Sequence, residues 1–201
     1  MALPLAFLLA LVVLSFKTTS SLCCDLPQMH NLSLETSEKN EEGALSLLKK
    51  MSRIPTSSCL NDRKDFAFPQ KLLESEKVPR AQAVAALQEM THQILDLFGT
   101  QEAFAAWNKT LLDIFLSGLN QQYQDLTACV THQLRQQKPL GITVRKCFQR
   151  ITDYLKEKEY RPCAWEVVRT EVMKFVSSSP KLYERLRSRE GDLVQQGNAS
   201  H

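Results

Sequence analysis

Residues 154–169 read YLKEKEYRPCAWEVVR, and the second half of this stretch decides the fold. Pro162 is preset for the first turn of a helix, where its missing N–H costs nothing. From there, at 3.6 residues per turn, Trp165, Val168, Val172, Phe175 and Val176 share one face. The spacing predicts a long amphipathic helix over 162–188 with that stripe in the core. Arg169 and Met173 fall at the edge of the stripe, and Thr170 and Lys174 lie further out on the same side. A methionine beside an arginine, ringed by polar groups, has the composition of a binding patch. An ordinary solvated helix flank is the simpler reading of the same residue types.

The rest of the chain carries the same period. The whole chain holds only 6 glycines and 8 prolines, with no alternating apolar and polar runs bounded by turn residues, so it reads as all-α. Over 42–53, Ala44, Leu45, Leu47, Leu48 and Met51 recur at helical spacing until Pro55 stops them. A connection over 54–78, rich in Ser, Pro, Asp and Lys, contains Cys59; connections that long are uncommon unless they do something. Pro79 suits the first turn of a second helix to Phe98, with Leu87, Met90, Ile94, Leu97 and Phe98 inward and Gly99 as C-cap. After a short link, a third helix spans 108–135, through Leu111, Leu112, Phe115, Leu119, Leu126 and Val130. Lys138, Pro139 and Gly141 mark a break, and a fourth helix covers 142–158. Five amphipathic helices with one long overhand connection suggest a bundle of the long-chain cytokine kind. The tail over 189–201 lacks a core-forming face and is expected to be disordered.

The first residues, MALPLAFLLALVVLSF, form an apolar run too short to span a bilayer, followed by the small polar stretch KTTSS. That order reads as a secretory signal peptide over 1–23. Ser21 and Cys23 are small enough for the positions before a cut between Cys23 and Cys24. No membrane insertion follows from any other stretch. The net charge is +3, and Lys17 leaves with the signal, so no electrostatic case arises for nucleic acid or a membrane surface. Of 6 cysteines, Cys24, Cys59, Cys129, Cys147 and Cys163 remain, an odd number for an oxidising compartment. Asn31, Asn108 and Asn198 head Asn-X-Ser/Thr sequons, candidates for N-glycosylation.

Catalytic chemistry finds little support. Glu89 and His92 form a Glu-x-x-His pair of the kind that ligates a di-iron centre in bundles, but such a centre needs a second pair and two more glutamates. His30, His132 and His201 sit in no HExxH, no serine occupies a GxSxG elbow, and no cysteines are spaced for zinc. No cofactor or metal is expected, and a di-metal bundle enzyme is the weakest reading.

Five stretches carry a resemblance: CDLPQ (24–28), CLNDRKDFAFPQ (59–70), AAWNKTLLD (105–113), VRKCFQRIT (144–152) and YLKEKEYRPCAWEVVR (154–169). In this order, over the whole chain after the signal, they resemble the type I interferons, closest to the alpha and omega kinds. The resemblance implies a five-helix bundle with a long first overhand loop, two disulfides and no catalysis. It implies a secreted, monomeric antiviral cytokine that brings together the two chains of the type I interferon receptor and triggers JAK–STAT signalling.

It also assigns residues. Cys24 would pair with Cys129, and Cys59 with Cys163. The high-affinity receptor chain would meet Leu60 and Arg63 on the loop and Arg169, Thr170, Met173 and Lys174 on the last helix. The low-affinity chain would meet Leu95, Asp96, Leu111, Leu116 and Arg145, with Asn108 at the edge of that face. The chain departs from the family pattern in places. Lys174 stands where arginine is expected and lacks its planar fork. Ser178 replaces a leucine, the segment before the first helix and the tail are longer, and the link over 133–141 is shorter. Lys174 and Ser178 motivate a rival reading, a decoy or antagonist of the same fold that engages one receptor chain poorly. Cys147 stands where an aromatic is usual and is the leftover thiol. Arg145 and Lys146 beside it would activate it if exposed, while Phe148, Ile151 and Leu155 place a core face close by that would bury it.

Overall fold

The computed structural model describes residues 43–129 and 139–187. In chain order these form α1 (43–50), a 3-10 segment (Thr56–Asp62), α2 (Gln70–Leu73), α3 (Arg80–Phe98), α4 (Gln101–Ala106), α5 (Lys109–Cys129), α6 (Pro139–Glu157) and α7 (Pro162–Arg187), and no strand occurs among them. The helix expected over 42–53, and those expected over 79–98, 108–135, 142–158 and 162–188, correspond to α1, α3, α5, α6 and α7. The signal peptide, Cys24, Asn31, Val130, Asn198 and the tail over 189–201 lie outside the described residues, as does the side chain of Cys129.

Helix α3 is the hub and packs against α5, α6 and α7. The apolar stripes explain why. Leu87, Met90, Ile94, Leu97 and Phe98 of α3 are buried with Leu112, Phe115, Leu119 and Leu126 of α5. Val144, Phe148, Ile151 and Leu155 of α6 join Trp165, Val168, Val172, Phe175 and Val176 of α7 in the same core. Each such side chain stabilises the fold by about 1.5–3 kcal/mol relative to exposure.

Helix α7 begins at Pro162 as the sequence suggests, and the Trp165 N–H closes the first turn on the Arg161 carbonyl. Its indole lies among the rings of Phe98, Trp107 and Tyr160, with centroids 5.9, 6.1 and 6.3 Å away. This anchors the start of the helix to α3 and to the turn before α5. The helix also runs through Pro180, which cannot donate to the carbonyl of Val176. Ser179 Oγ donates to that carbonyl instead, at 2.9 Å, so no acceptor is stranded.

Two boundaries differ from expectation. The break read at Pro139 and Gly141 is the first turn of α6, which starts at Pro139 rather than 142, while Lys138 lies outside the described residues. Proline is tolerated at that position for the same reason as at Pro162. Gly141 serves close packing: a Cβ there would lie 3.4 Å from the Ala85 carbonyl oxygen of α3. The short link after α3 contains α4, capped by Thr100, whose side chain accepts from the Ala103 N–H. Asn108 caps α5 in the same way, its Oδ1 accepting from the Leu111 N–H.

The long connection is fastened down. Phe66 is fully buried, and its carbonyl accepts from Cys147 Sγ at 3.2 Å and Arg150 Nε at 2.9 Å. Tyr154 Oη donates to the Asp62 carbonyl at 2.7 Å. Cys147 is therefore the buried thiol of the two alternatives, and it is unpaired. Burial pushes its pKa from an ordinary 9.0 up to about 11, and burial likewise pushes Tyr154 from 10.0 to about 12. Both groups hold their proton more tightly folded than unfolded, so their contribution is complete at neutral pH. It is lost as pH rises, from about 9 to 11 for Cys147 and about 10 to 12 for Tyr154. Urea unfolding as a function of pH should thus show stability falling above about pH 9, with the lower part of the fall absent in Cys147→Ser. Alkylation at neutral pH should label Cys147 only after denaturation; rapid labelling of the native protein would contradict its burial.

Candidate functional site

A disulfide joins Cys59 to Cys163, across 104 residues of sequence, with Cα atoms 5.3 Å apart. It ties the middle of the 3-10 segment to the first turn of α7. This is the bridge that the resemblance assigns. The consequence is a continuous surface made of the loop and one flank of α7. Leu60 on the loop is 52 % exposed, and Arg63, Thr170 and Lys174 are exposed nearby. Between loop and helix lies a cleft of about 350 Å³, lined by Cys59, Arg63 and Lys64 on one side and by Val167, Thr170 and Lys174 on the other.

Arg169 and Met173 occupy this flank differently from the sequence reading. Arg169, expected at the surface, is only 5 % exposed. Its Nε donates to Glu166 Oε2 at 2.8 Å, and its Nη1 donates to the Leu48 carbonyl at 3.0 Å and lies 3.1 Å from Met173 Sδ. A guanidinium whose Nε and Nη1 are engaged inside the protein is set to support this flank from beneath. Met173 is half-buried and packs on the core edge beside it. Thr170 Oγ1 donates back to the Glu166 carbonyl. Ser178, the other position that departs from the family pattern, is 2 % exposed and reaches Glu74 at 3.3 Å. Its small side chain removes no exposed anchor, which takes away one motive for the decoy reading.

Lys174 is exposed at its tip and pairs with Glu171 Oε2 at 2.7 Å. Glu171 is buried, and its Oε1 has no hydrogen-bond partner among the described residues. An arginine at 174 would present two parallel donors to both oxygens. Lys174→Arg should therefore raise unfolding stability by about 0.5–1.5 kcal/mol, the net value of one hydrogen bond gained. No gain in the urea midpoint would mean that Glu171 is satisfied in another way.

On the opposite side, Gln88 of α3 bonds Thr127 of α5, and the His92 ring lies 5.5 Å from Tyr123. That antiparallel register sets Leu95 and Asp96, in the last turn of α3, near the middle of α5, with Leu116 and then Leu111 further toward the start of α5. Leu95, Leu111 and Leu116 are half-buried, and Asp96 is exposed and paired with His92 at 3.1 Å. Arg145 of α6 reaches across to Glu89 of α3 through two parallel bonds of 2.7 Å, and its pKa is raised by that hydrogen bonding and charge. Glu89 and His92 are thus engaged separately, and no group of three or more potential metal ligands occurs among the described residues. The sequence reading missed Ile114, 52 % exposed on the outer face of α5. Its place three residues after Leu111, off the buried stripe, was the available signal.

A family model described as the interferon alpha/beta domain matches residues 33–186. Human interferon alpha-21 and interferon alpha-6 are each 46% identical over 196 residues, covering 94% of this chain and 100% of the relative. Human interferon alpha-4 is 45% identical over the same span.

Proposed function

The chain belongs to the type I interferon family, a family of cytokines rather than enzymes, and from that premise we propose that it is a secreted antiviral ligand that joins the two chains of the type I interferon receptor and so triggers JAK–STAT signalling. On this reading it is released by removal of residues 1–23 and acts outside the cell without cofactor or metal. The loop and α7 flank takes the high-affinity chain through Leu60, Arg63, Thr170, Met173 and Lys174, with Arg169 supporting them from beneath. The face of α3, α5 and α6 takes the low-affinity chain through Leu95, Asp96, Leu111, Leu116 and Arg145, to which Ile114 is added.

The observation that carries this reading is the Cys59–Cys163 bridge, which fastens the loop bearing Leu60 and Arg63 beside the helix bearing Met173. An apolar centre ringed by cationic groups is the usual make-up of a small hot spot. Arg63→Ala and Met173→Ala should each weaken binding to the high-affinity chain by about 1–3 kcal/mol, while Arg145→Ala should act on the low-affinity chain alone. Surface-based binding measurements against each isolated receptor ectodomain test this. If both alanine changes left affinity within about twofold, the assigned surface would be wrong.

A further inference from the structure

We propose that Glu166 is a positioning residue for the receptor-facing surface, clamping the start of the long loop and, through Arg169, the side chain of Met173. The proposal rests on the receptor reading above and assigns a role to a residue outside the contact set.

Glu166 is 1 % exposed, although carboxylates are almost never so buried unless paired. Four donors converge on it. Its Oε1 accepts the backbone N–H of Arg53 at 2.6 Å and of Ile54 at 3.3 Å. Its Oε2 accepts Ser52 Oγ at 3.4 Å and Arg169 Nε at 2.8 Å. Residues 52–54 lie just past the end of α1 and belong to no helix, so the carboxylate stands in for the partners a helix would give the amides of Arg53 and Ile54. Arg53, held in this way, sends Nη1 to the Ala106 carbonyl at the end of α4.

Two mechanical consequences follow. The Ser52–Ile54 backbone leads directly into the 3-10 segment that carries Leu60, so the loop is fastened to α7 at its start by Glu166 and at its middle by Cys59–Cys163. On the other side, the second arm of Arg169 takes the Leu48 carbonyl in the last turn of α1 and lies against Met173 Sδ. One carboxylate therefore sets the loop and the methionine relative to each other.

The chemistry demands glutamate rather than its amide. The two backbone amides and the guanidinium can only donate, so both oxygens must accept. Glutamine has the same shape but turns an NH2 group toward either the two backbone amides or the guanidinium. Glu166→Gln should keep the helical fold and the disulfide, yet weaken binding to the high-affinity chain by about tenfold or more, since the shell supporting a hot spot has loosened. Binding to the low-affinity chain, on a separate face, should stay within about twofold.

The test measures binding of wild type and Glu166→Gln to each isolated receptor ectodomain, with amide hydrogen exchange of both proteins. Selective loss on one chain, with faster exchange at Arg53 and Ile54, supports the proposal. Unchanged binding, or equal loss on both chains, overturns it. So does open-peptide exchange at Arg53 and Ile54 in the wild type, a result independent of whether the variant folds. Wild-type protein that bound neither chain would instead sink the receptor reading, leaving the exchange data to decide on the clamp.

Discussion

Replacing Cys59 and Cys163 together with serine should cost about 2–5 kcal/mol of stability and should weaken high-affinity binding more than Cys147→Ser does. The bridge closes a span of 104 residues, and a loop of that order restricts the unfolded chain strongly in the chain-entropy account. Its second effect is local. Without it, the 3-10 segment keeps the Tyr154 bond to Asp62 and the contacts of Phe66, but nothing covalent holds Leu60 and Arg63 against α7. Urea unfolding and receptor binding of the double variant, compared with Cys147→Ser, check both effects. An equal or smaller binding loss in the double variant would mean that the loop holds its place unaided.

Arg169→Ala should be at least as costly, at about 3–5 kcal/mol, although it removes no apolar core residue. The guanidinium is the only charged partner that the buried Glu166 carboxylate has among the described residues, and it also satisfies a carbonyl at the end of α1. Removing it leaves the buried carboxylate with three uncharged donors and no charged partner among the described residues. Arg169→Ala should therefore weaken high-affinity binding at least as much as Met173→Ala, while acting from inside the protein. Arg169→Lys should recover only part of the loss, because one ammonium cannot reach Glu166 and Leu48 with the same planar fork. The denaturation midpoint decides: an Arg169→Ala protein as stable as wild type would place the guanidinium in solvent.

The legibility of the sequence divides along a physical line. Periodicity reports which face of a helix is apolar, so the stripe from Trp165 to Val176 and that from Leu87 to Phe98 were readable and are buried as expected. Proline and glycine were ambiguous because their local effects have two outcomes. Pro139 reads as a breaker but starts α6, and Gly141 reads as a turn but permits close approach to Ala85. No local signal separates these outcomes, since the deciding contact is with another helix. The resemblance supplied Leu60, Arg63, Met173 and Lys174, and the structure brings the loop and the helix that carry them together. It was misjudged where burial of charge mattered. Arg169 looks like a surface residue on residue type alone, and only the convergence of Ser52, Arg53 and Ile54 on Glu166, more than a hundred residues apart in sequence, draws the pair inside. Ser178, read only as the loss of an expected leucine, is buried and reaches Glu74 at 3.3 Å, a contact between segments far apart in sequence.

On the proposed reading, one chain presents two separate faces to two receptor chains. Its most direct test immobilises one receptor ectodomain, saturates it with the protein beginning at Cys24, and then adds the other ectodomain. Tight binding to one chain, weaker binding to the other and formation of the three-part complex are expected, with reporter induction in responsive cells from the same preparation. Binding of the two ectodomains that is mutually exclusive, or a saturated first chain that never captures the second, would contradict it.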